Sequence, residues 1–90
     1  MDVSAHIVVK GFVQGVGFRY FVYHRAMQLG LRGYVKNKYN ADVEVEVEGD
    51  RSVIEVLIKE LRVGPRVADV RDVSVRWGEY QKKYSGFHIY

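Results

Sequence analysis

Six consecutive residues, Gln14-Gly15-Val16-Gly17-Phe18-Arg19, combine the types that bind an anion. Two glycines, one residue apart, let the backbone turn so that successive N–H groups converge. Arg19 adds a planar fork of five N–H donors. The segment comes after a hydrophobic strand, Ala5-His6-Ile7-Val8-Val9-Lys10, and opens a helix. A cation in the first turn of a helix opposes the helix dipole, at a cost of about 0.3–1 kcal/mol. An anion bound between the guanidinium and the free N–H groups removes that conflict. Residues 14–19 are therefore a candidate phosphate cradle, with glycines that serve only the turn as the alternative. A Walker A loop is excluded, because no Gly-Lys-Ser/Thr closes it. A dinucleotide fingerprint is excluded too: Tyr20 stands where its third glycine belongs, and the chain is too short for a doubly wound sheet. One short loop with one arginine fits a single phosphate group rather than a nucleotide.

The elements around this loop can be placed by hydrophobic periodicity. A first strand is expected over residues 5–12, with Ile7 and Val9 on one face. A first helix is expected over 18–29, where Phe18, Val22, Ala26 and Leu29 form one apolar stripe. Gly30 is a natural stop for it. A second strand spans about 31–38. Residues 42–48 alternate valine with acidic residues, so Val43, Val45 and Val47 face a core and the glutamates face water. A sheet buried on one face only is antiparallel or mixed, with its helices on a single side. A second helix spans about 52–62, with Ser52 and Glu55 at capping-box spacing and Ile54, Leu57, Ile58 and Leu61 as its stripe. A fourth strand covers about 70–79 and a short last one 87–90. The order βαββαβ with a terminal strand predicts an α+β, ferredoxin-like sandwich: two helices on one face of a mostly antiparallel four- to five-stranded sheet. Residues 1–90 then form one domain.

Ninety residues with 48% hydrophobic and 28% charged content are globular values. There is no cysteine, so neither disulfides nor thiolate chemistry is available. No apolar run approaches the roughly 20 residues that span a bilayer, and the N-terminus lacks a signal-peptide pattern. A cytoplasmic protein with no membrane partner is expected. The net charge of +3 is unevenly placed: residues 1–40 carry +5 and residues 41–90 carry −2. The basic half holds the glycine loop, where its field favours a small anion.

The stretch Gly11-Phe12-Val13-Gln14-Gly15-Val16-Gly17-Phe18-Arg19 resembles the signature of the acylphosphatase family. The resemblance continues through Ala26, Leu29-Gly30-Leu31, Gly33, Val35, Asn37, Gly49, Gly64-Pro65, Val70 and Phe87-His88-Ile89-Tyr90. It implies the ferredoxin-like fold with strand order 4-1-3-2 and a fifth edge strand. It implies hydrolysis of the carboxyl–phosphate bond of a small-molecule acyl phosphate, with inorganic phosphate as product and competitor. It assigns phosphate binding to Arg19 and to the N–H groups of Gln14, Gly15, Val16, Gly17, Phe18 and Arg19, and orientation of the attacking water to Asn37. No metal and no other cofactor is implied, and a monomer is expected. Two positions depart from the family. Asn40-Ala41 replaces the common Asp-Gly turn, where Asn40 is expected to supply any left-handed residue, and Tyr34 stands where tryptophan is frequent.

Other residues offer less. His6, His24 and His88 lack metal spacing, the glutamate row reads as a solvated face, and the tyrosines with Trp77 read as packing. A non-catalytic anion- or RNA-binding module on the same fold is the competing possibility. Outward glutamates on the third strand count against nucleic acid. The family's domain also occurs inside larger carbamoyl-transfer proteins. With nothing after Tyr90, the chain is expected to stand alone.

Overall fold

The computed structural model describes residues 1–90. It contains β1 (Asp2–Phe12), α1 (Phe18–Gln28), β2 (Arg32–Asn37), β3 (Val43–Asp50), α2 (Arg51–Val63), β4 (Asp69–Glu79) and β5 (Phe87–Ile89). The five strands form one sheet in the order β4-β1-β3-β2-β5. All neighbours are antiparallel except β2 and β5, which run parallel. The expected α+β architecture, strand order and number of elements are all present. No helix is long and apolar enough to cross a membrane.

Both helices lie on one face of the sheet. Phe18, Val22 and Ala26 of α1 and Ile54, Leu57, Ile58 and Leu61 of α2 are buried. They close over Ala5, Ile7 and Val9 of β1 and Val43, Val45 and Val47 of β3, all fully buried. The period of the apolar residues thus matches the period of each element, 3.6 in the helices and 2 in the strands. A register shift between Lys10 and Gly11 interrupts the pairing of β1 with β4, which resumes at Gly11–Val70 and Phe12–Asp69 just before the glycine loop. Such a bulge bends a strand and re-aims the chain beyond it.

Three local expectations need correction. The α2 N-cap is Asp50, not Ser52, and no side-chain cap bond forms there. The Ser52 hydroxyl instead donates to the Asp50 carboxylate, which spends the capping-box hydroxyl inside the helix. In the β2–β3 turn the left-handed residue is Ala41, φ 78°, not Asn40. Asn40 serves the turn with its side chain, whose Oδ1 accepts the Asp42 N–H at 3.2 Å. The glutamate row is also not uniformly solvated. Glu48 is 1% exposed, and its carboxylate accepts the main-chain N–H groups of Gln81 and Lys83, each at 2.9 Å. The β4–β5 loop folds over the end of β3, so a position that alternation assigns to water becomes an anchor.

Candidate active site

The loop between β1 and α1 is shaped by Gly15 and Gly17, whose φ values of 75° and 79° lie in the left-handed region. An added Cβ meets nothing within 4 Å at either position. The backbone conformation, rather than crowding, therefore calls for glycine at both. Gly17 is also the N-cap of α1, which has no side-chain cap bond and no acidic residue in its first turn. The first helical bond runs from the Phe21 N–H to the Gly17 carbonyl, 3.0 Å. The N–H groups of residues 14–20 find no acceptor within the chain. A run of unpaired donors at the positive end of a helix dipole is a site for an oxyanion.

The loop is braced from the opposite side by Gln14. Its side-chain amide donates to the carbonyls of Lys38 and Asp42, both at 2.8 Å. These two carbonyls flank the β2–β3 turn, and Lys38 N–H also bonds the Asp42 carbonyl at 2.8 Å. Lys10 adds an ion pair to Asp42 at 2.7 Å. One amide side chain thus ties the glycine loop to the hairpin that carries Asn37 at the end of β2.

The consequence is a shared cleft of about 180 Å³ lined by Val13, Gly15, Gly17, Phe18, Arg19, Tyr20 and Asn37. Arg19 from the first turn of α1 and Asn37 from the end of β2 meet there, although 18 positions separate them in the sequence. The side chains of Gln14 and Val16 do not line it. Gln14 braces the hairpin, and Val16 packs against the core. The cleft is floored by Val13 and Phe18, both 1% exposed.

Arg19 is held as well as placed. Its Nη1 donates to the main-chain oxygen of Tyr90. Tyr90 N–H in turn donates to the Val35 carbonyl at 2.9 Å, and its ring packs on Tyr34 at 5.8 Å between centroids. Tyr34 also meets Tyr84 edge-on at 6.0 Å. Burial, reinforced by Glu44 and Glu46, pushes the Tyr34 hydroxyl up to about 12, so this ring stays neutral and packs. Sequence patterns gave no signal for the Tyr90 contact, because it joins residues 71 positions apart.

Several other charges on the sheet are paired. Glu44 takes both His6, 2.7 Å away, and Lys36, 3.5 Å away. The hydrogen bond from His6, aided by the charges of His6 and Lys36, holds the Glu44 carboxyl below its ordinary range against the opposing effect of burial. No side-chain carboxylate forms an ion pair with Arg19 or Lys38.

Residues 5–89 match the family model named Acylphosphatase. A curated acylphosphatase of Caldanaerobacter subterraneus subsp. tengcongensis is 46% identical over 90 residues, covering all of both chains. The crystal structure of an acylphosphatase from Bacillus subtilis superposes with a TM-score of 0.94 at 34% identity, covering 98% of each chain. Full-length HypF, solved in a phosphate- and nucleotide-bound form, contains a region matching all of this chain but only 12% of its own length, with a TM-score of 0.88 and 32% identity. Matches that extend over the whole length, at these identities and with this fold, make the chain a member of the acylphosphatase family.

Proposed function

We propose that the chain hydrolyses the carboxyl–phosphate bond of acyl phosphates, with Arg19 and the N–H groups of residues 14–19 binding the phosphoryl group and Asn37 orienting water. The observation that carries this is the meeting of Arg19, Asn37 and the unpaired loop donors around one cleft.

Acyl phosphates need little from an enzyme. Their leaving group is a carboxylate, which departs with the electron pair of the P–O bond and without a proton. Transfer through a loose transition state depends mainly on positioning and charge stabilisation. The guanidinium fork and the fixed N–H groups supply that stabilisation at the equatorial oxygens. Asn37 both donates and accepts, so it can aim a water in line with the breaking bond, but it is no base. The water's protons end on phosphate, whose own oxygens are the nearest acceptors. Because fixed protein donors neutralise the charge, the proposal includes metal-independent turnover, with no other cofactor. The proposal takes a monomer as the working unit and the cytoplasm as its compartment. Glutamates on the open sheet face disfavour a nucleic-acid partner.

The test is hydrolysis of benzoyl phosphate in the presence of EDTA. Turnover is expected in the chelator, with competitive inhibition by inorganic phosphate, and is expected to be lost in both Arg19→Ala and Asn37→Ala. Phosphate binding without turnover by the unaltered chain selects the non-catalytic anion-binding module instead. Arg19→Ala activity near that of the unaltered chain removes the assignment of the site.

A further inference from the structure

The roles proposed for Arg19 and Asn37 leave the acyl group without a partner, and a partner for it can be inferred only if those roles hold. The cleft walls offer few choices. Val13 and Phe18 form a buried floor, and Gly15 and Gly17 have no side chains. Arg19 is committed to phosphoryl oxygens and Tyr90, and Asn37 to water. One wall residue remains, Tyr20, whose side chain is 61% exposed.

In-line displacement fixes which side the acyl group occupies. Water enters from Asn37, at the end of β2, so the carboxylate leaves on the far side of phosphorus. Tyr20 belongs to a different wall, the first turn of α1, next to Arg19 in sequence. Its ring is also backed. His24, one turn later, stacks beneath it at 6.4 Å and 27°. Tyr23 meets His24 edge-on at 5.4 Å, and Tyr23 packs against Phe87 at 6.3 Å, where Phe87 is 5% exposed. A chain of rings thus connects an exposed aromatic face at the cleft to the core. Tyr20 is off the buried stripe of α1, so core packing does not require an aromatic there.

We infer that Tyr20 is the platform for the acyl group, and that the preferred substrates carry a flat aromatic or planar apolar acyl group rather than a small one. Ring-on-ring contact contributes a factor of about 3 to 10 between such acyl groups.

The experiment measures kcat/KM for benzoyl phosphate and acetyl phosphate on the unaltered chain, Tyr20→Phe and Tyr20→Ala. The readout is the benzoyl-to-acetyl ratio, in which the intrinsic reactivity of each substrate cancels between variants. The ratio is expected to fall about 3- to 10-fold in Tyr20→Ala, carried by KM for benzoyl phosphate, and to be retained in Tyr20→Phe. A ratio that does not move in Tyr20→Ala, with both substrates still turned over by the unaltered chain, overturns the platform alone. A fall in both substrates by one common factor does the same, since it marks a merely structural role. An unaltered chain that hydrolyses neither substrate overturns the catalytic assignment and the platform with it.

Discussion

Arg19 contributes a shape as well as a charge. In the proposed site its guanidinium offers parallel donors to the phosphoryl group, while Nη1 is bonded to the Tyr90 oxygen. A lysine ammonium is a point charge without that fork. Arg19→Lys is therefore expected to lower kcat/KM for benzoyl phosphate by about 10²–10³, comparable to deleting an oxyanion donor. Asn37→Ala is expected to act mainly on kcat, because water orientation matters more in the transition state than in binding. Steady-state kinetics on the purified variants checks both. Ala41 tests the same hairpin by stability. Its φ of 78° is a conformation that costs an L-residue about 1–2 kcal/mol and glycine almost nothing. Ala41→Gly is expected to stabilise the fold by about 1 kcal/mol, partly offset by the greater freedom of glycine in the unfolded chain. A urea midpoint that falls instead would mean that the turn does not hold this geometry in solution.

The two loops that frame the cleft show where sequence patterns inform and where they stop. The apolar stripes of α1 and α2, the valines of β3 and the glycine loop were legible because each is a local repeat or a short motif. The brace from Gln14 to Lys38 and Asp42 was not, since its partners lie 24 and 28 positions away. Glu48 failed to show itself for the same reason. Alternation reports the face a side chain points to, not which segment later folds over that face. The Glu48 carboxylate holds two N–H groups on either side of Lys82, a residue at φ 54° that the loop must keep left-handed. Charged hydrogen bonds of this kind contribute about 1.5–3 kcal/mol, and the orphaned N–H groups add a penalty. Glu48→Ala is expected to cost on the order of 2 kcal/mol or more. It is also expected to accelerate amide exchange at Gln81 and Lys83 before the rest of the sheet opens. Because this loop leads into β5 and Tyr90, loosening it also frees the oxygen that steadies Arg19. Unchanged exchange at those two amides would show that the loop is held elsewhere.

Across the whole molecule, the charge asymmetry read from the sequence is partly consumed by pairing: Lys10, Arg25 and Lys36 have carboxylate partners, while Arg32 and Lys38 form no ion pair. The basic first half meets the acidic second half through Lys10–Asp42, His6–Glu44, Lys36–Glu44 and Arg25–Glu60. The opposite sign of the two halves was visible in the sequence. Their meeting was not, because antiparallel pairing of β1 and β2 with β3 and the approach of α1 to α2 create it. Glu46 is the member of this face left without a close cation. Burial, aided by Glu44 and Glu48 and opposed by His6 and Lys83, raises its carboxyl above the ordinary value of 4.5. A folded pKa raised in this way contributes stability that is complete below about 4.5 and lost as pH rises through the folded value. At neutral pH the ionised Glu46 therefore weighs against the fold. Glu44 has the opposite sign: its lowered carboxyl stabilises above 4.5 and ceases to do so on acidification. Glu46→Gln separates the two, since it removes only the first. The variant is expected to melt higher than the unaltered chain at pH 7. The gain is held to about 1 kcal/mol or less by solvent screening of a half-exposed group. The gain is expected to shrink as pH falls and to vanish below about 4.5, where Glu46 is protonated in both folded and unfolded chains. Melting curves from about pH 3.5 to 8 check this, spanning the ordinary carboxylate range and neutrality. A difference that stays constant across that range would assign the effect to packing of the amide rather than to the charge.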